Sequence, residues 1–389
     1  MNDFTFSYPT KVYFGQGALA CSLPAELAQV GTTVMLAYGG GSIKRNGLYD
    51  EVMGLLADAG KEVVEFGGIM PNPTYAKVQE GARLARERGV DFILAVGGGS
   101  VIDCCKIVSV QAKTERDVWQ MEFADHEFPT EGIPMGAVVT IFGTGAEMNN
   151  GAVITNEETK QKNGMGGSFH SFAVLDPAYT LSAPMRQALS GAFDMLSHSM
   201  ETYFGTPYDN NLSDRIALAN MRCIIDNTRA MIASPDDLAP RGELFWASAM
   251  AENGILKIGK KTAFQAHMIE HQLGAYTDCN HGFGLAVIHP TMYRHMMAGA
   301  PEQFARFATE VWGVDPAGKT VEEVAAAGID ALEAFIVEIG LPTRLSEMGI
   351  EGEGTDEMLR AVADSTIIIP SCPKVLDADE VYEILEACR

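Results

Sequence analysis

The chain has 389 residues, 47% of them hydrophobic and 20% charged, which suits a globular protein with a large interior and enough length for two domains. Its net charge of −23 repels phosphate backbones, and no basic run is longer than Lys260-Lys261, so nucleic acid is excluded as a partner. The sequence predicts neither a basic-then-apolar leader nor a membrane span, and seven cysteines without a Cys-x-x-Cys pair fit reduced thiols in a cytoplasmic protein.

In chain order, alternation over residues 4–14 predicts a short β-hairpin turning near Pro9-Thr10. The apolar run 32–38 (TTVMLAY) predicts a buried strand ending at Gly39-Gly40-Gly41-Ser42, followed by a helix over 49–59. Residues 61–66 form a second strand, 75–88 a second helix and 91–96 a third strand ending at Gly97-Gly98-Gly99-Ser100. Helical spacing resumes over 101–111, and a fourth strand over 137–141 precedes a Gly-Thr-Gly turn at 143–145. Strands alternating with helices predict a parallel sheet covered on both faces. Beyond residue 180 the pattern is helical throughout, over 185–204, 212–232, 241–257, 262–274, 284–298, 302–312, 321–339, 355–364 and 378–388. The expected division is therefore an α/β domain, 1–180, and a helical domain, 181–389.

Two glycine loops carry chemistry. Gly97, Gly98, Gly99 and Ser100 lie between a strand and a helix, where the backbone can approach a ligand and free N–H groups attract a phosphate. The loop is neither a G-x-G-x-x-G fingerprint nor a Walker A sequence, and a plain strand-to-helix turn is the competing reading. Asp103 either caps the helix or bonds a ribose or amide. At the end of the first long strand, an acid would accept the ribose 2′-hydroxyl of NAD. Gly40, Gly41 and Ser42 stand there instead, with Lys44 and Arg45 nearby, which favours NADP(H) over NAD(H).

The helical half carries a second constellation. Asp194 and His198 are four apart, so both leave one helix face about 6 Å apart along the axis. His267 and His271 repeat the spacing, and His281 follows ahead of Gly282. One carboxylate and several imidazoles suit a divalent Fe or Zn ion, although spacing alone does not say which three histidines bind it. Cys279 is a further soft donor, but a small buried thiol is the commoner state.

Five segments, in order and across most of the chain, resemble the iron-containing, metal-dependent alcohol dehydrogenases in their butanol dehydrogenase and NADPH-dependent aldehyde reductase branch. They are AVGGGSVID (95–103), GTGAEMNNGAVIT (143–155), FAVLDP (172–177), GAFDMLSHSMETYF (191–204) and HMIEHQLGAYTDCNHG (267–282). The resemblance implies a Rossmann-like N-terminal domain, a helical C-terminal domain and an active site in the cleft between them. It implies that Asp194, His198, His267 and His281 bind one Fe2+ or Zn2+, with His271 near the nicotinamide as a catalytic helper. It places cofactor contacts at Gly97 to Ser100, Asp103, Thr140, Thr144 and Lys162, beside Gly40, Gly41 and Ser42. The family's Thr-Gly-Ser-Glu is here Thr144-Gly145-Ala146-Glu147, which lacks one hydroxyl. The implied reaction is hydride transfer between the nicotinamide and a short-chain primary alcohol or aldehyde whose oxygen binds the metal, in a homodimer. A glycerol-dehydrogenase-like polyol oxidoreductase and a non-catalytic metal- or nucleotide-binding protein are the alternatives.

Overall fold

Apolar runs too short for helices become the strands of a parallel sheet in the computed structural model, which describes residues 1–389. The elements of this half are β1 (Lys11–Phe14), α1 (Ala18–Leu27), β2 (Thr33–Tyr38), α2 (Ser42–Arg45), α3 (Leu48–Asp58), β3 (Glu62–Phe66), α4 (Tyr75–Arg88), β4 (Phe92–Gly97), α5 (Gly99–Gln111), α6 (Val118–Phe123), β5 (Met135–Val139), β6 (Gly151–Asn156), β7 (Gln161–Gly166) and β8 (Phe172–Leu175). The helical half holds α7 (Met185–Tyr203), α8 (Leu212–Ala233), α9 (Leu238–Glu252), α10 (Gln265–Thr277), α11 (His281–Met296), α12 (Pro301–Trp312), α13 (Val321–Glu338), α14 (Thr355–Ser365) and α15 (Ala378–Ala387). The backbone divides into one unit of Ser7–Ala188 with Asp236–Phe245, and another of Met1–Phe6, Leu189–Pro235 and Trp246–Arg389. No helix is long and apolar enough to cross a membrane.

In the α/β unit the six-stranded sheet has the order β1-β8-β5-β4-β2-β3, with every pairing parallel. Strand β4 is buried along its whole length and β2 at all but its first residue, as expected where helices cover both faces. From β2 the chain steps outward to β3, then returns to β4 on the other side of β2. The winding therefore reverses between β2 and β4, whose register pairs Tyr38 with Val96, and both glycine loops emerge at the carboxyl ends of these strands. A crevice at such a reversal is where open α/β sheets receive ligands.

The expected hairpin over residues 4–14 does not form. Only Lys11–Phe14 is a strand, and it pairs in parallel with Phe172–Leu175. Pro9 supplies no N–H, the segment has no Asn-Gly or Asp-Gly to turn a hairpin, and pairing with buried β8 satisfies the backbone better. The real hairpin is β6–β7, antiparallel, with Thr155 opposite Lys162. The fourth predicted strand lies two residues earlier than expected, at Met135–Val139.

In the helical unit the ends are capped by sequence. Asn211 with Asp214, Thr320 with Glu323 and Asp377 with Glu380 form capping boxes on α8, α13 and α15. Buried Lys260 secures the C-terminal end of α7, donating to the Tyr203 carbonyl at 3.1 Å, the Pro207 carbonyl at 3.0 Å and Asp214 at 2.7 Å. Behind α7 the core is aromatic. Phe204 stacks on Phe304 with centroids 4.2 Å apart and meets Tyr293 and Phe307 edgewise or tilted.

Candidate functional site

Three helices of one unit converge on a single carboxylate oxygen. Asp194 Oδ1 lies 3.5 Å from His198 Nε2, 3.5 Å from His267 Nε2 and 3.4 Å from His281 Nε2. The first pair comes from α7, His267 from α10, and His281 from the first position of α11. Ligand atoms of Asp194, His267 and His281 all fall within 4.8 Å of one another. Asp194 Oδ1 and His267 Nε2 are buried without a hydrogen-bond partner. Donors about 2.1 Å from a tetrahedral ion stand about 3.4 Å apart, so the spacing from Asp194 fits a cation at the centre.

The packing that permits this approach is visible in the glycines. A Cβ on Gly282 would lie 2.3 Å from the Ser190 carbonyl oxygen of α7, so the start of α11 sits directly against the turn preceding Asp194. Asn280 caps α11 by accepting from Phe283 N–H at 3.2 Å and is itself joined to Ser190.

Buried carboxylates stand behind two of the imidazoles. Glu201 Oε2 pairs with His267 Nδ1, and Glu270 Oε2 with His281 Nδ1. An Nδ1–H donated to a carboxylate leaves the Nε2 lone pair facing Asp194. His198 differs, because its Nδ1 has no hydrogen-bond partner and its ring stacks against both Phe264 and His267, which also touch each other. The electrostatics follow. Burial works against ionisation of Asp194, yet His198 and His281 hold its carboxyl well below the ordinary value. Burial pushes His198 down to about 4, Asp194 and Glu252 restoring only part of the shift. Burial also opposes a charge on His267, but Glu201 and Asp194 outweigh it and push the pKa up to about 10.

His271 stands beside the cluster, its ring centroid 5.6 Å from that of His281 and 5.9 Å from that of His267. Glu201 and Glu270 are the residues that sequence reasoning missed. Glu201 had a usable signal, since Asp194, His198 and Glu201 fall at i, i+4 and i+7 on one helix face. Glu270 had none beyond lying between His267 and His271.

In the α/β unit, the N-terminus of α5 at Gly98 has no side-chain cap. A Cβ on Gly99 would lie 2.4 Å from Thr144 Oγ1, and one on Gly98 would lie 2.9 Å from the Ile141 side chain. Gly97, Gly98, Gly99, Ser100 and Thr144 are thus brought together, while Thr140 is tied to the same loop through its N–H to the Gly97 carbonyl at 3.0 Å. Gly40 and Gly41 face open space, Gly41 at φ +88°, with Ser42 beginning α2. The uncapped start of α5 offers backbone N–H groups of the kind that attract an anion. Asp103 does not cap α5. It accepts from Val153 N–H at 2.9 Å and lies 3.7 Å from the fully buried Lys106 ammonium. Lys162 is buried on β7.

Comparison with known proteins identifies the family. Residues 9–177 match the profile of "Iron-containing alcohol dehydrogenase", and residues 188–388 that of "Fe-containing alcohol dehydrogenase family, C-terminal". NADH-dependent butanol dehydrogenase A of Clostridium acetobutylicum is 36% identical over 390 residues, covering 99% of both chains. NADPH-dependent aldehyde reductase YqhD of Escherichia coli is 34% identical over 372 residues, covering 94% of both. The crystal structure of NADH-dependent butanol dehydrogenase A from Thermotoga maritima superimposes with a TM-score of 0.92 at 35% identity, covering 100% of this chain and 99% of that one. The chain therefore belongs to the iron-containing alcohol dehydrogenase family, and it is an NAD(P)-dependent oxidoreductase of the alcohol dehydrogenase and aldehyde reductase type.

Proposed function

We propose that the enzyme transfers hydride between NADP(H) and a short-chain primary alcohol or aldehyde, with one divalent ion, Fe2+ or Zn2+, held by Asp194, His198, His267 and His281. The observation that carries this reading is the buried, unpartnered Asp194 Oδ1 with three imidazole nitrogens at 3.4–3.5 Å. Such an ion supplies Lewis-acid polarisation of a substrate oxygen. The chain's own residues do the rest. Glu201 fixes His267, the stacked rings of Phe264 and His267 hold His198, and the glycine backbones at Gly97 to Gly99 receive the cofactor phosphates with Ser100, Thr140 and Thr144 around them. Asp103 and Lys162 shape the cofactor site from the α5 and β7 side, and His271 orders cofactor or water beside the cluster. Residues 1–180 serve as the nucleotide domain and 181–389 as the metal domain.

Support for NADP(H) is the absence of an acid at Gly40, Gly41 and Ser42, with Lys44 and Arg45 close by. One observation favours NAD(H): Glu65 lies 3.3 Å from Lys44 and holds that ammonium over the rings of Tyr38 and Tyr49. The names of the relatives include both cofactors, and their butanol and aldehyde chemistry supports the substrate class. A homodimer is supported by the open outer edge of β1, and a cytoplasmic setting by seven free cysteines. The test is His267→Ala in the purified enzyme, with metal content measured alongside oxidation of NADPH and NADH by butanal. Loss of both metal and activity is expected. A variant that keeps both overturns the ligand set, and a higher kcat/KM with NADH overturns the cofactor choice.

A further inference from the structure

The two carboxylate clamps behind the imidazoles are not equivalent. Glu201 grips His267 from a rigid position: its Oε1 accepts Ala266 N–H at 2.6 Å, its Oε2 meets His267 Nδ1, and both side chains are almost completely buried. His281 stands at the first position of α11 with its side chain 25% exposed, its ring 5.2 Å from that of His267 and 5.6 Å from that of His271. Its Nδ1 is met by Glu270, reaching across from α10 with no exposure of its own. The other oxygen of Glu270 lies 3.8 Å from the Cys279 thiol, which confines the carboxylate from the loop side. The space it occupies exists because residue 284 is glycine: a Cβ there would lie 2.7 Å from Glu270 Cγ.

We infer that Glu270 is a positioning residue that fixes His281 in its Nδ1–H tautomer, and that Gly284 is the gap in α11 through which it does so. The inference rests on the metal-ligand reading given under Proposed function. With Nδ1–H committed to Glu270, the Nε2 lone pair points at the position 3.4 Å from Asp194. Without that acceptor nothing selects this tautomer, and the opposite one aims an N–H at the cation. The carboxylate also raises the basicity of the imidazole it accepts from, and partners of this kind contribute about 10- to 100-fold to metal affinity.

The experiment uses the full-length chain stripped of metal. Zn2+ affinity is measured by chelator competition, and Co2+ is added separately to record its visible absorption, which reports ligand geometry. Glu270→Gln is expected to weaken Zn2+ binding about 10- to 100-fold and to change the Co2+ spectrum, while the melting temperature of the metal-free chain stays at the parent value. Gly284→Ala touches no proposed ligand and is expected to act in the same direction by displacing Glu270. It also keeps the inference testable if Glu270→Gln folds poorly. Parent-like Zn2+ affinity and Co2+ spectra in both variants, with His281→Ala losing affinity, overturn the positioning role alone. Parent-like affinity in His281→Ala overturns the ligand reading itself.

Discussion

Gly282→Ala tests whether the approach of α11 to α7 assembles the metal cluster. An added Cβ would lie 2.3 Å from the Ser190 carbonyl oxygen and 2.6 Å from its hydroxyl, against an ordinary contact of 3.4–4 Å. Backbone oxygen cannot swing aside, so the helices must part by roughly 1 Å. That movement opens the 3.4 Å between His281 Nε2 and Asp194 Oδ1 to about 4.4 Å. Two donors each about 2.1 Å from one ion are at most about 4.2 Å apart, and then only on opposite sides of it. The variant is expected to lose about 1–3 kcal/mol of stability from overpacking and about 100-fold in kcat/KM from misplacement. Urea denaturation of the metal-free chain measures the first. Metal analysis with steady-state aldehyde reduction measures the second. A variant with parent-like metal content and rate would falsify the argument that Gly282 sets the spacing of the site.

Three further expectations concern the α/β unit. Burial pushes the Glu122 carboxyl up to about 7, the Gly166 N–H at 2.8 Å offsetting part of the shift, so the folded state binds this proton more tightly than the unfolded chain. Its contribution is present in full below pH ~4.5 and is lost as pH rises toward 7, at most about 3 kcal/mol. Glu122→Gln should therefore stabilise the protein by about 1–3 kcal/mol at pH 8 and leave it unchanged at pH 4; an equal difference at both pH values in urea melts contradicts the assignment. Lys106→Ala removes a fully buried ammonium from Asp103, from the Asn149 side chain at 3.0 Å and from the Gly151 carbonyl, with an expected loss of about 3–5 kcal/mol in the same assay. Gly99→Ala drives a methyl group into Thr144 and should weaken NADPH binding about 10-fold by fluorescence titration, with Thr144→Gly restoring part of it.

The helices were the most legible part of the sequence. A 3.6-residue period survives any tertiary context, and every predicted helix after residue 180 lies within a few residues of an observed one. The reversal of winding between β2 and β4 was legible only through its products, the two glycine loops. What the sequence concealed depends on distant partners. Strand β1 is set by β8, some 160 residues away, and a four-residue FAVL segment offers no period to read. Lys106 looks like a solvated helix residue until α5 is seen buried on nearly every face. Glu270 looks like an ordinary surface acid, and only the folded arrangement places it behind an imidazole, whereas Glu201 shares the helix face of Asp194 and His198. Spacing likewise treats the pair His267 and His271 alike, whereas only His267 meets Asp194.

Helix α7 presents Asp194 to one nitrogen of His267 and Glu201 to the other. One imidazole is thus gripped at both ends by a single rigid rod, with His198 between the grips in sequence. One residue inserted anywhere from 195 to 201 would rotate everything beyond it by about 100° and remove Glu201 from His267 in one step. Insertions before His198 would carry that ring away as well. The segment 278–280 connects α10 to α11 outside that register, and a length change there acts on Asn280 and His281 and leaves the spacing within α7 intact. Length variation in descendants of this chain should accordingly be absent from the middle of α7, whatever substrate they come to accept.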